Sequence, residues 1–129
     1  MDRLELDAYF PVPPAVLYEA WLSPTIHGEM TGAEAEGSSA VGERFTAWDG
    51  YIVAVTTRLE PGARIVQRWR TADFDDAHGD SEIEVQLVPE GEGTRLLLVH
   101  RDIPAGDGPR YAQGWQDYYF TPMAAHFRG

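Results

Sequence analysis

The sequence contains no cysteine, which excludes disulfides, thiolate metal ligands and thiol nucleophiles and suits a reducing compartment. Positive charge is scarce: 10 basic residues face 21 acidic ones, for a formal charge of −11. Nucleic acids and anionic membrane surfaces attract basic faces, so neither is expected as a partner. No apolar run approaches the length of a transmembrane helix, so no membrane insertion is expected. The first ten residues carry one arginine and three acids and no signal-peptide core. The expectation is a cytoplasmic protein. Repeats and low-complexity linkers are also missing, and the 129 residues read as one domain, 1–129.

What is present is apolar and aromatic. Hydrophobic residues make up 43% of the chain, with four Trp, six Tyr and five Phe, enough for a core without covalent staples. Leu4, Leu6, Ala8 and Phe10 alternate with polar positions, which predicts a half-buried strand. Pro13 and Pro14 then suit a helix start, and Val16, Leu17, Ala20 and Trp21 recur at helical spacing. Ser23-Pro24 ends that helix and opens a short second one through Met30. Glycine and serine mark 31–42 as a mobile loop. Asp49-Gly50 between Trp48 and Tyr51 predicts a two-residue hairpin turn. Pro61-Gly62 predicts a second turn, followed by a strand from Arg64 to Thr71. An acidic loop spans 72–80. Two strands follow, Ser81 to Val88 and Thr94 to Asp102, joined by a turn over Pro89–Gly93. A Pro/Gly loop leads into a helix over Pro109–Phe127, which Pro122 should kink or shorten. Strands grouped in sequence with helices outside the run indicate an α+β domain with an antiparallel sheet.

Hairpin register assigns faces. With Trp48 opposite Tyr51, the residues Phe45, Ala47, Ile52, Ala54 and Thr56 share one face. If Leu59 opposes Arg64, then Ile65, Gln67 and Trp69 join them, while Arg64, Arg68 and Arg70 point to solvent. Ile83, Val85, Leu87, Leu96, Leu98 and His100 complete the inner face. Its small residues, Ala47 and Ala54, leave room for close helix approach or for an unfilled cavity. On the final helix Trp115, Tyr118 or Tyr119, and Pro122 or Met123 form an inward stripe.

The runs Gly42-Glu43-Arg44-Phe45, Leu59-Glu60-Pro61, Ile65 to Arg70, Gly93 to Leu96 and Gly114-Trp115-Gln116-Asp117-Tyr118-Tyr119-Phe120 resemble, in order and spacing, the activator of heat-shock-protein-90 ATPase homologue-like family, C-terminal-domain type. The resemblance covers nearly the whole chain. It implies the helix-grip fold of the START, pollen-allergen-like and polyketide-cyclase superfamily: a curved antiparallel sheet of six or seven strands around a long C-terminal helix, with two short helices after the first strand. It allows an extra strand within 31–42. The co-chaperone's N-terminal domain has no counterpart here, so the resemblance points to a free-standing bacterial type. It also implies a link to the stress response and a chaperone partner as one candidate.

Catalytic machinery is not legible. His27, His78, His100 and His126 lack metal-ligand spacing, the aspartates of 72–80 lack a calcium-loop pattern, and no nucleophile motif occurs. No catalytic residue, metal or cofactor is therefore expected. His100 stands out as a buried histidine that either is satisfied by the protein or anchors a ligand. The leading expectation is a cavity for a small hydrophobic or aromatic ligand, lined by Phe45, Ala47, Ile52, Ala54, Trp69, Leu87, Leu98, His100, Trp115, Tyr118, Tyr119 and Met123. The alternative is a protein-interaction module with a filled interior. A cyclase-like enzyme ranks third, because general acid–base work needs placed titratable groups.

Overall fold

A computed structural model describes residues 1–128; Gly129, the last residue of the expected domain, lies outside the described residues. Strand β1 (Asp2–Phe10) is followed by helices α1 (Pro14–Leu22) and α2 (Pro24–Thr31). Then come β2 (Glu36–Gly37), β3 (Arg44–Ala47), β4 (Ile52–Glu60), β5 (Arg64–Thr71), β6 (Ser81–Glu90) and β7 (Gly93–Ile103). The seven strands form one antiparallel sheet in the order β1-β7-β6-β5-β4-β3-β2. The extra strand allowed within 31–42 is β2. No helix of the described residues is long and apolar enough to cross a membrane.

Local chemistry explains the joints. Pro14 and Pro24 occupy first turns, where a missing N–H is harmless. The Ser23 hydroxyl accepts from the Ile26 N–H at 3.3 Å and caps α2, while Gly32 closes it in the left-handed conformation. The expected turn at Asp49-Gly50 forms, with Tyr51 N–H donating to the Trp48 carbonyl at 3.0 Å and φ of 57° and 89° at Asp49 and Gly50. Strand pairing stops at Ala47–Ile52, however, so Trp48 and Tyr51 belong to a four-residue connection instead of the strands.

The inner face is as expected, by a different route at one point. Ala54 pairs with Trp69 and Thr56 with Gln67. Leu59, however, faces Ile65 rather than Arg64, because a bulge between Thr56 and Arg58 shifts the register by one. The hairpin connection is three residues, Pro61 to Ala63, and the bulge returns both strands to the same inner face. The next connection is also shorter than expected: Glu90 pairs with Gly93, so Pro89 lies inside β6 rather than in the turn. Ile65, Ile83, Val85, Leu96, Leu98 and His100 have no solvent exposure. The arginines lie on the outer face, where Arg64 and Arg101 both bond the Glu84 carboxylate.

The C-terminal helix begins at Gly108 and runs to His126 without breaking. It consists of α3 (Gly108–Trp115), a π-helical turn (Gln116–Phe120) and α4 (Thr121–His126). Pro122 does not end it. The wide turn before it, in which Thr121 N–H donates to the Gln116 carbonyl five residues back, accommodates the proline ring in the first turn of α4. Tyr111, Trp115, Tyr119, Met123 and Phe127 all face inward, four residues apart. In an uninterrupted α-helix that spacing drifts by about 40° per step, and the π turn takes back part of the drift.

Candidate ligand cavity

A cavity of about 560 Å³ lies between the β3–β4 turn and the C-terminal helix. The sheet side supplies Ile52 at the start of β4 and Trp69 of β5, and the turn supplies Trp48 and Tyr51. The helix side supplies Tyr111, Trp115, Tyr118 and Tyr119, together with Arg110, Gln113, Gly114 and Asp117. Seven of these twelve residues are aromatic.

The floor is a packed cluster of tilted aromatic rings. Trp69 lies 5.4 Å from Trp115, and Trp115 lies 4.8 Å from Tyr119, by ring centroids. His100 sits behind it, 4.7 Å from Trp69 and without solvent exposure. The Trp115 indole N–H donates to His100 Nδ1 at 3.2 Å, so the imidazole proton belongs on Nε2, which faces the Ser81 hydroxyl at 2.9 Å. That hydroxyl in turn donates to the Trp69 carbonyl at 2.6 Å. Both ring nitrogens are thus satisfied by the protein, and burial lowers the His100 pKa to about 3. His27 is arranged in the same manner. Its Nδ1 donates to the Trp21 carbonyl and its Nε2 accepts from the Tyr119 hydroxyl, each at 2.8 Å. Burial lowers the His27 pKa to about 4, against the opposing effect of the backbone bond, and burial raises that of Tyr119.

Two contacts join the helix to the loops at the mouth. Trp48 meets Tyr118 edge to face at 5.3 Å, and Tyr118 is 57% exposed. On the other side Arg110 donates to Asp73 and, at 3.2 Å, to the Tyr51 hydroxyl, which itself donates to Asp73 at 2.6 Å. Burial and the bond to Asp73 push the Tyr51 pKa up to about 12. The bonds from Tyr51 and Arg110 hold the Asp73 carboxyl below its usual range. Trp48 is a locus of strain. Its φ is 51°, a left-handed conformation that costs a bulky residue on the order of 1–3 kcal/mol. Its indole nitrogen is also the one buried side-chain polar atom, among the described residues, without a hydrogen-bond partner.

Of the residues expected around a cavity, Ile52, Trp69, Trp115, Tyr118 and Tyr119 line this one. Phe45, Ala47, Ala54, Leu87, Leu98, His100 and Met123 are packed in the buried interior instead. The middle of the grip is occupied by side chains from α1 and α2: Trp21 donates to Gln67 at 3.3 Å, and the His27 ring lies 5.1 Å from Phe45. Tyr118 lies at the mouth, outside the inward stripe. Trp48, Tyr51, Arg110, Tyr111, Gln113, Gly114 and Asp117 complete the wall and lie outside the expected set. Aromatic residues flanking an exposed two-residue turn, and a glycine inside an aromatic helix, are the signals that point to them. Among the described residues no group of three or more metal-ligating side chains converges. What the cavity offers is apolar and π contact with a few polar groups at its rim.

The family model described as "Activator of Hsp90 ATPase homolog 1-like protein" matches residues 11–128. The chain belongs to this family. The human activator of 90 kDa heat shock protein ATPase homolog 1 is 30% identical over 125 residues, 97% of this chain and 37% of that protein. This member of the Activator of Hsp90 ATPase homolog 1-like family therefore spans little more than a third of that relative's length. Among solved structures, an HSP90 activator from Plasmodium falciparum superposes with a TM-score of 0.88 at 25% identity, covering 96% of this chain and 94% of that one. CalU16 from Micromonospora echinospora shares the fold, with a TM-score of 0.75 at 24% identity over 97% of this chain and 72% of that one.

Proposed function

We propose that this family member is a binding module that takes a small hydrophobic or aromatic molecule into the cavity between the β3–β4 turn and the C-terminal helix. The observation that carries the reading is a cavity of about 560 Å³ with seven aromatic side chains on its wall, within the size range of roughly 300–1,000 Å³ typical of small-molecule sites. The two buried histidines are neutral and fully bonded, which leaves the cavity suited to holding a molecule more than to proton transfer. The cysteine-free composition supports work in a reducing compartment such as the cytoplasm.

A thermal-shift screen of fatty acids, flavonoids and polyketide-like aromatics tests the reading. A ligand that binds only the folded state raises the melting temperature with its excess over Kd. Gly114→Leu is the matched control. The glycine lines the cavity, and a Cβ there meets nothing closer than Tyr118 Cδ2 at 3.9 Å. The added side chain should occupy the space, so the shift should vanish in the variant. No shift with any compound would overturn the reading.

A second reading rests on the relatives named as activators of the 90 kDa heat-shock ATPase: an interaction module that contacts such a chaperone. Pull-down of the host's 90 kDa chaperone at physiological salt tests it, and absence of capture removes it.

A further inference from the structure

Resting on the cavity-binding reading, we infer that the preferred occupant is a planar aromatic cation, such as a heteroaromatic iminium or a protonated arylamine. The charge inventory of the wall carries this. Arg110 is the one cationic residue on it, and its charge is matched by Asp73, to which it donates. The remaining ionic residue is Asp117. Its carboxylate receives only the neutral Gln113 amide, at 2.9 Å, among the described residues. The wall therefore presents one uncompensated negative charge, in a chain whose formal charge is −11.

The Trp48 indole N–H is a free donor on the wall but carries no net charge, and the other donors that would bind an anion are committed. Arg110 and Tyr51 donate to Asp73, Trp115 donates to His100, and Tyr119 donates to His27. Aromatic faces, by contrast, carry the negative part of the ring quadrupole and attract cations. The wall already demonstrates this: the Arg110 guanidinium carbon lies 5.1 Å from the centroid of the Tyr111 ring. A flat cation entering beside Asp117 would find further rings of the same kind in Tyr118, Trp115 and Trp69. The overall negative field also favours its approach, with a rate that falls as salt rises.

Three three-ring probes that differ in charge test this by fluorescence titration: 10-methylacridinium, anthracene-9-methanol and anthracene-9-carboxylate. The full chain should bind the cation at least tenfold more tightly than the carboxylate at low salt, with the gap narrowing at 0.2 M NaCl. Asp117→Asn, with an unchanged melting temperature as the check on folding, should weaken the cation three- to tenfold and leave the neutral alcohol within twofold. The inference fails if the carboxylate binds as tightly as the cation, or if Asp117→Asn leaves their ratio unchanged. Binding of the alcohol alone would sink the charge preference and spare the cavity reading. Binding of none of the three would sink both.

Discussion

At the scale of single residues, the interior is held by polar groups that burial has made neutral. The His27 and His100 pKa values lie below the ordinary 6.5, at about 4 and about 3. The unfolded chain therefore binds more protons than the folded one as pH drops below 6.5, and stability falls with it. The contribution is fully present above that pH and is lost as pH falls toward the folded values. Between pH 7 and pH 5 each histidine should remove about 2 kcal/mol of stability, measured by urea unfolding. His100→Gln should unfold more easily at pH 7 yet show a shallower slope, because one of the two proton acceptors is gone. A flat pH profile in the parent protein would contradict the neutral assignment. The outer face keeps a charge rather than losing one, and that contribution too is lost on acidification. Burial would raise the Glu84 pKa, but the bonds from Gln86, Arg64 and Arg101 outweigh it and hold the group near 2. Glu84→Gln should cost about 1–2 kcal/mol at neutral pH, discounted because both arginines are roughly 30% exposed. Equal stability of the variant would show the network to be energetically idle.

At the scale of elements, close approach between strands sets the tolerance to change. Gly93 opens β7 beside the end of β1, and a Cβ at that position would collide with the Phe10 carbonyl and the Tyr9 side chain. Gly93→Ala should therefore destabilise by about 2 kcal/mol, seen as a lower melting temperature. An unchanged melting point would mean that β1 yields at no cost. Element types and faces were legible in the chain. Alternation at Leu4 to Phe10, the Asp49-Gly50 pair and the Ile83–Val85–Leu87 run each carry a periodicity that one backbone geometry satisfies. The bulge at Thr56–Arg58 and the π turn at Gln116–Phe120 were not. Both add one residue to a repeat, and neither needs a residue type of its own. The regular four-residue spacing from Tyr111 to Phe127 is the visible trace of the second, because such a row stays on one face only if the helix widens.

At the scale of the whole molecule, the sheet grips the helix over most of its length and leaves space at one end. The sequence patterns show which side chains point inward, and the structure agrees for Phe45, Ala54, Leu98 and Met123. They do not show where inward-pointing side chains fail to fill the interior. That depends on how α1 and α2 deliver Trp21 and His27 into the middle of the grip, a long-range arrangement without a local signature. The cavity consequently lies nearer the hairpin tip than the small residues Ala47 and Ala54 suggested, and its mouth recruits the strained Trp48.

The most direct test of the cavity as a binding site is a 15N–1H NMR titration of the indole N–H groups with anthracene-9-methanol. Saturable shifts should appear at Trp48, Trp69 and Trp115, which line the cavity, and should be smallest at Trp21, which does not. Shifts that never saturate, or that spare all three cavity tryptophans, would contradict the account.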